Sequence, residues 1–262
     1  DIRDKKSVKK ALKNVDLVLH FAASLGVKNI VDKPIEAMSV NYLGSEVILL
    51  EAAERQGRTI IASTSEIYGK NPNQPLNENS DRLLGKPQNI RWAYSEAKAL
   101  EESLAQALFT KKGLPVTTLR LFNTVGPRQS GQYGMVIPRF VSAAKNNSTL
   151  EIYGDGAQTR VFCHVSDVVD LIQRIAEDSN TLGEVFNIGG IGEISIEDLA
   201  KKVIKRTNSK SDIKFVNYNQ AYGPGFEDMF RRVPDITKVT KKYSWSPKYG
   251  IDQIIDDVFD SI

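Results

Sequence analysis

One cysteine, Cys163, and two histidines, His20 and His164, are all that 262 residues contain of the side chains most used for disulfide and soft-metal chemistry. A lone thiol cannot close an internal disulfide, and two imidazoles without companion thiols do not make a metal site. No metal is therefore expected, and a reducing, cytoplasmic setting is. Long apolar runs are missing too: none approaches the ~20 residues that cross a bilayer, and the opening residues do not read as a signal peptide. No membrane role is expected. Net charge is only +3, and the lysines are scattered along helix faces (Lys5, Lys6, Lys9, Lys10 and Lys13; Lys201, Lys202 and Lys205). Without interleaved aromatics they read as solvated surfaces, which argues against a nucleic-acid partner. Internal repeats and low-complexity tracts are also absent.

What is present suits a buried core: 41% of the residues are apolar, enough for one large α/β unit or a main domain with a smaller lobe. A polar helix through Leu12 leads to the apolar run Asp16 to Ala23, which reads as a parallel strand covered on both faces. Pro34 opens a long helix, with Ala37, Val40, Leu43, Val47, Leu50 and Ala53 at helical spacing and Gly57 as its stop. A strand from Thr59 to Ser63, a Pro/Asn-rich loop from Lys70 to Asn89, a helix around Tyr94 and a strand from Val116 to Leu121 follow. This alternation predicts a doubly wound, Rossmann-type parallel sheet, fold class α/β.

After Asn123 the glycine-rich texture of Gly126-Pro127 and Gly131 to Gly134 predicts a domain transition or active-site loop. Helices are expected from Pro138 to Asn147 and Val165 to Ala176, and strands from Leu150 to Tyr153 and Val185 to Ile188. Gly154-Asp155-Gly156 reads as a tight turn, Ser195 to Asp198 as a capping-box-like helix start, and Gly223-Pro224-Gly225 as a loop. A Lys-rich helix opening at Pro234-Asp235 and a last helix ending at Ile262 complete the chain.

Two short pieces organise the rest. Ser63-Thr64-Ser65-Glu66 closes an apolar strand, and Tyr94-Ser95-Glu96-Ala97-Lys98 opens the next helix. Tyr94 and Lys98, four apart, share a helix face, and a hydroxyl-bearing strand end reaches that face in an α/β fold. The geometry suggests a proton relay, although the spacing alone fits an ordinary half-exposed helix face as well.

Further motifs occur in a fixed order: Asp1-Ile2-Arg3-Asp4, His20-Phe21-Ala22-Ala23, Asn41, Ser63 to Gly69, Tyr94-x-x-x-Lys98, Arg120 to Pro127, and Tyr153 to Gly156 with Thr159-Arg160. With these the chain resembles, over essentially its whole length, the extended short-chain dehydrogenase/reductases, the NAD-dependent epimerase/dehydratase family that modifies nucleotide sugars. The resemblance implies an incomplete NAD-binding Rossmann domain over residues 1–125 and a smaller C-terminal α/β substrate-binding lobe over 126–262, with segments near 160–190 returning to the first. It implies oxidation at a sugar C4, with Tyr94 as base, Lys98 favouring its phenolate and Thr64 holding the sugar oxygen. Cofactor contacts are expected from Asp1, Ile2, Phe21, Ala22, Ala23, Asn41, Ser63, Tyr94, Lys98 and Phe122. A UDP-sugar is expected against Ser65, Asn123, Val136, Ile137, Arg160 and Arg232, the arginines matching a diphosphate.

The family's Gly-x-x-Gly-x-x-Gly turn is missing upstream of Asp1. The expectation is a piece of a longer protein that begins at the third strand, with weakened or no NAD binding. For the reaction, the run Arg120 to Phe140 is similar to bacterial proteins taken for UDP-glucose 4-epimerases, and that is the first expectation. Glu66 after Thr64-Ser65, Arg91-Trp92-x-Tyr94, and Tyr222-Gly223-Pro224-Gly225-Phe226-Glu227-Asp228 through Pro234 look instead like UDP-glucuronate decarboxylases and UDP-apiose synthases. Decarboxylase or 4,6-dehydratase chemistry, with Glu66 as a fourth catalytic group, is the alternative. A silent nucleotide-sugar-binding protein is the non-enzyme reading. A homodimer is also expected, through the helices of Asn41 and Tyr94. The stripe of Ala97, Leu100, Leu104 and Leu108 that would form it fits packing on the sheet equally well.

Overall fold

A computed structural model describes residues 1–223 and 226–262. The chain runs α1 (Lys5–Ala11), β1 (Leu17–His20), α2 (Val27–Asp32), α3 (Pro34–Met38), a π-helical stretch (Ser39–Gly44), α4 (Ser45–Arg55) and β2 (Arg58–Thr64). Short 3₁₀ turns at Ser65–Tyr68 and Ile90–Trp92 lead to α5 (Ala93–Lys112), β3 (Val116–Leu121), β4 (Thr124–Val125), α6 (Val136–Lys145), β5 (Leu150–Tyr153), β6 (Thr159–Val161) and β7 (Cys163–His164). Then come α7 (Val165–Glu177), β8 (Val185–Ile188), β9 (Glu193–Ser195), α8 (Ile196–Arg206), β10 (Ile213–Val216), α9 (Tyr218–Tyr222), α10 (Thr237–Tyr243) and α11 (Ile251–Asp260).

The main sheet is parallel, in the order β1-β2-β3-β8. Neighbouring residues of β2 point to opposite faces, so Ile61 packs with Leu49, Ala52, Ala105 and Leu108 of α4 and α5. Ile60 packs on the other face with Leu171, Ile175, Phe186, Val239 and Trp245, under α7 and α10. Helices on both faces make this the doubly wound α/β arrangement. Cys163 is buried in the second layer, where burial pushes its thiol up to about 12, leaving it inert. A separate core joins α6, β5, α8 and α11 through Phe140, Val141, Leu150, Leu199, Val203 and Ile255. There β5 pairs with β10, while β6 pairs antiparallel with β9. Among the described residues no helix is long and apolar enough to cross a membrane.

Several local expectations are revised. The first strand is short and only partly covered on one face: Leu17 packs on the core under α7 and α10, while Leu19, two residues on, is 48% exposed at the terminal strand of the sheet. The long helix from Pro34 does reach Arg55 but contains the π-helical stretch, and Gln56, at φ 54°, takes the left-handed position in place of Gly57. Helix α2 lies where no element was expected. The turn at Ser195 is a true cap, its hydroxyl accepting from Asp198 N at 3.0 Å. Pro224 and Gly225 of the expected loop lie outside the described residues.

Candidate active site

Parallel strands aim their carboxyl ends at one edge of the sheet, and ligands of such folds sit there. The ends of β1, β2 and β3 open here into a cleft of about 460 Å³, closed on the far side by α6, Arg160, Tyr218, Tyr222, Phe226, Asp228 and Arg232. Thr64 ends β2, and its hydroxyl caps the following turn by accepting from Glu66 N at 3.1 Å. Ser95 ties the start of α5 to the same turn, donating to the Glu66 carbonyl at 2.8 Å. These bonds bring Tyr94 over the strand end, its hydroxyl within hydrogen-bonding reach of Thr64. Burial, followed by the negative charges of Glu66 and Glu101, pushes the Tyr94 hydroxyl well above its ordinary range.

Lys98 does not complete the relay in the expected way. Its ammonium donates to Ala62 O and to Glu101 Oε2, both at 2.8 Å, and the side chain is fully buried. The charge meant to favour phenolate is thus offset by a carboxylate one turn further along the helix. Tyr94 rests as a phenol.

Beyond Thr64 lies a dense ionic cluster. Arg91 grips Glu66 in a two-pronged pair, Nη1 to Oε2 at 2.6 Å and Nη2 to Oε1 at 3.1 Å. Arg232 stands 3.4 Å from Glu66 Oε1 and donates to Asn123 Oδ1 at 2.5 Å. Arg160 pairs with Asp228 at 2.9 Å, and Arg91 lies 3.6 Å from the same carboxylate. Burial alone would raise the Glu66 carboxyl, but Arg91 and then Arg232 hold it down to about 2. Burial and repulsion from Arg160 lower Arg232 to about 10, which leaves it charged at neutral pH. Three guanidiniums therefore face two carboxylates, a surplus of one positive charge within this cluster.

The structure brings Thr64, Ser65, Glu66, Tyr94, Ser63, Phe21, Ala23, Phe122, Asn123, Val136, Ile137, Arg160 and Arg232 to the cleft. Asp1, Ile2, Ala22, Asn41 and Lys98 are not among its lining residues. Asp1 is exposed and paired to Arg3, and Ile2 lies under Gly44. Asn41 holds the loop after β1, accepting from Ser24 N at 2.7 Å and donating to Ser24 O at 2.8 Å. Arg91 and Arg139, cleft residues both, were not expected from sequence. Arg91 was visible only as part of Arg91-Trp92-x-Tyr94. Arg139, stacked 4.0 Å from the Tyr153 ring centre, follows the expected Val136-Ile137 pair and carried no signal of its own.

A family model described as GDP-mannose 4,6 dehydratase matches residues 1–258. A UDP-N-acetyl-alpha-D-glucosaminuronate decarboxylase of Bacillus cytotoxicus is 42% identical over 253 residues, covering 96% of this chain and 78% of that protein. UDP-glucuronic acid decarboxylase 2 of Arabidopsis thaliana is 32% identical over 247 residues, 94% of this chain, which spans 53% of the plant protein. Among solved structures, a UDP-glucuronic acid 4-epimerase from Bacillus cereus, in complex with UDP-glucuronic acid and NAD, matches with a TM-score of 0.88 at 25% identity. That match covers 100% of this chain and 79% of the epimerase.

Proposed function

The chain belongs to the family of NAD-dependent nucleotide-sugar epimerases and dehydratases, of the extended short-chain dehydrogenase/reductase type, and from that premise we propose that it acts on a UDP-linked uronic acid and removes its C6 carboxylate. The observation that carries this reading is the positive surplus of Arg91, Arg160 and Arg232 over Glu66 and Asp228, set beside Thr64 and Tyr94. The diphosphate of any UDP-sugar meets part of this charge, but Arg232, 3.4 Å from Glu66 in the turn after Thr64, stands beside the reacting residues, where a uronate offers a carboxylate and a neutral hexose does not. Glu66 in the run Thr64-Ser65-Glu66, and relatives named decarboxylases, favour carbon dioxide loss over the 4-epimerisation expected first.

The strand ends fit a dinucleotide. Ala23 lines the cleft with only a methyl group, and the buried Ser63 hydroxyl has no partner among the described residues. Phe21, Ala23, Ser63 and Phe122 are the residues that would hold NAD. When bound, NAD would supply hydride exchange at sugar C4 and, oxidised, a positive charge. Tyr94 accepts the C4 hydroxyl proton and later returns it, while Thr64 donates to the same oxygen. With C4 a ketone, the C6 carboxylate belongs to a β-keto acid. Its C5–C6 bond breaks, carbon dioxide leaves, and the electron pair moves onto the C4 oxygen, where Thr64 and the Tyr94 phenol donate hydrogen bonds. Arg232 orients the carboxylate before it departs, and Asn123 orients Arg232. Glu66, ionised and fixed by Arg91, holds both guanidiniums in place, and the enolate carbon C5 takes its one proton from water before C4 is reduced again.

The test is to incubate the protein and NAD⁺ with UDP-glucuronate, UDP-N-acetylglucosaminuronate or UDP-glucose. Release of carbon dioxide from a uronate is expected. Inversion at C4 without carbon dioxide would return the assignment to an epimerase, and a Tyr94→Phe variant with full turnover would remove the shared mechanism. We also propose a homodimer, supported by the exposed Met38, Leu43 and Leu100 on one face of α3, the π-helical stretch and α5.

A further inference from the structure

Lys98 and Glu101 form a buried ion pair inside the domain, 2.8 Å apart, with side chains 2% and 0% exposed. Burying two charges costs several kcal/mol, recovered only when the geometry is good and the remaining donors and acceptors are met. A leucine or alanine at position 101 would serve packing without that cost, so the carboxylate calls for a reason. Its surroundings are specific. Oε1 lies 4.0 Å from His20 Nε2 on β1 and has no hydrogen-bond partner among the described residues. His20 Nε2 lies 2.8 Å from Ser45 Oγ, and Ser45 donates to Asn41 O at 2.7 Å. Because the Ser45 proton goes to Asn41, His20 donates from Nε2, and His20 Nδ1 has no partner among the described residues. The imidazole is neutral, so Glu101 is the anion that answers Lys98.

We propose that Glu101 is a positioning residue for the proton relay: it fixes the Lys98 ammonium beneath the end of β2 and offsets its charge, so that Tyr94 stays protonated until further positive charge enters the cleft. Two of the three Lys98 donors are spent on Ala62 and Glu101, and the third is held in a set direction rather than swinging. Lys98 and Glu101 lie on the Tyr94 face of α5, at i+4 and i+7, and the Glu101 charge pushes the phenol up. The other charged groups facing this centre are Glu66 from the turn after β2, Arg232 from the C-terminal segment, His20 from β1 and Glu102 on α5 itself. Among the described residues, Glu101 is the one anion hydrogen-bonded to the relay lysine. The inference rests on the reading of Tyr94 as the base.

The test is the ionisation of Tyr94 in the protein without cofactor, followed by NMR of ring-labelled tyrosine and assigned by the signal lost in Tyr94→Phe. In Glu101→Gln, which keeps an oxygen for Lys98 but not the charge, the Tyr94 midpoint is expected to fall by about one pH unit or more. In Lys98→Met it should rise. Glu101→Asp, which retains the charge, should stay near wild type, and it carries the comparison with Lys98→Met if Glu101→Gln does not fold. A purely structural Glu101 would change the melting temperature and leave the Tyr94 midpoint where it is, which would overturn the proposal. The acid limb of kcat/KM gives the second readout and should move down in Glu101→Gln with the NMR midpoint. If the midpoints move as stated while no uronate is turned over, the proposed reaction falls and the role of Glu101 stands. If uronate is turned over and neither readout moves, the converse holds.

Discussion

His20 carries a pH signature that can be read without substrate. Burial, and then the charge of Lys98, lower its imidazole from 6.5 to about 4. The unfolded chain therefore binds a proton across that window that the folded chain refuses. Its contribution to stability is complete above pH 6.5 and is lost as the pH falls toward 4, by roughly 3 kcal/mol. Urea unfolding at a series of pH values should show this loss in the wild type and a much flatter profile in His20→Gln. Equal slopes would mean the imidazole is not held neutral. Glu66 titrates lower, its carboxyl being held at about 2 against an ordinary 4.5, so its stabilisation is complete above pH 4.5 and is lost as the pH falls toward 2, starting at the low end of the His20 window. By releasing Arg91 and Arg232 from their positions, Glu66→Gln should reduce carbon dioxide release ~100-fold, while oxidation at C4 continues and is seen as reduced-nicotinamide absorbance in a single turnover. Loss of both together would assign Glu66 to the oxidation step. At this scale the sequence was informative about identities and silent about partners. Thr64, Tyr94 and Glu66 are visible as types in a pattern, but the pairing of Lys98 with Glu101 depends on which helix face meets β1 and α4, and a linear spacing does not carry that.

Elements were legible where one force dominates. The apolar runs Leu150–Tyr153 and Val185–Ile188 became strands with the expected bounds because burial and β-propensity agree there. The π-helical stretch was not legible, since no residue type marks the extra residue per turn. It depends on tertiary packing, with Gly44 admitting the Ile2 side chain against its backbone. Gly190, just after β8, is a stricter case: a Cβ there would overlap the Phe162 carbonyl, which belongs to the backbone and cannot swing aside. Gly190→Ala should therefore destabilise the protein more than Gly44→Ala, whose Cβ meets the movable end of Ile2. Overpacking of the second kind costs typically ~1–3 kcal/mol. Thermal melts of the two variants check the order. A larger effect at Gly44 would mean that the π-helical stretch, rather than the end of β8, is the rigid part of the frame.

For the molecule as a whole, α5 serves two surfaces at once. At 100° per residue, Tyr94, Lys98, Glu101, Ala105 and Leu108 fall on one side of the helix, and Glu96, Leu100 and Ser103 on the other. The structure accordingly divides the apolar stripe expected from sequence. Ala97 and Leu108 are buried, Leu104 is partly buried against the sheet, and Leu100 is 48% exposed beside Met38 and Leu43. These three line a groove with Tyr42, Arg82 and Glu96, where Arg82 and Glu96 pair at 3.3 Å along the rim. An apolar strip with a polar edge is the composition of an interface core and rim. If two copies meet there, sedimentation velocity should give a dimer in the wild type and a monomer in Leu100→Glu, because a carboxylate buried without a partner at that contact is unfavourable by several kcal/mol. The substitution lies on the side of α5 away from Tyr94, so it should leave the Tyr94 titration unchanged, and any fall in turnover would then report the loss of helix rigidity supplied by the second copy. A wild type that sediments as a monomer at every concentration would remove the dimer, and the relay would have to hold its geometry on the packing of α5 against α4 and the sheet alone.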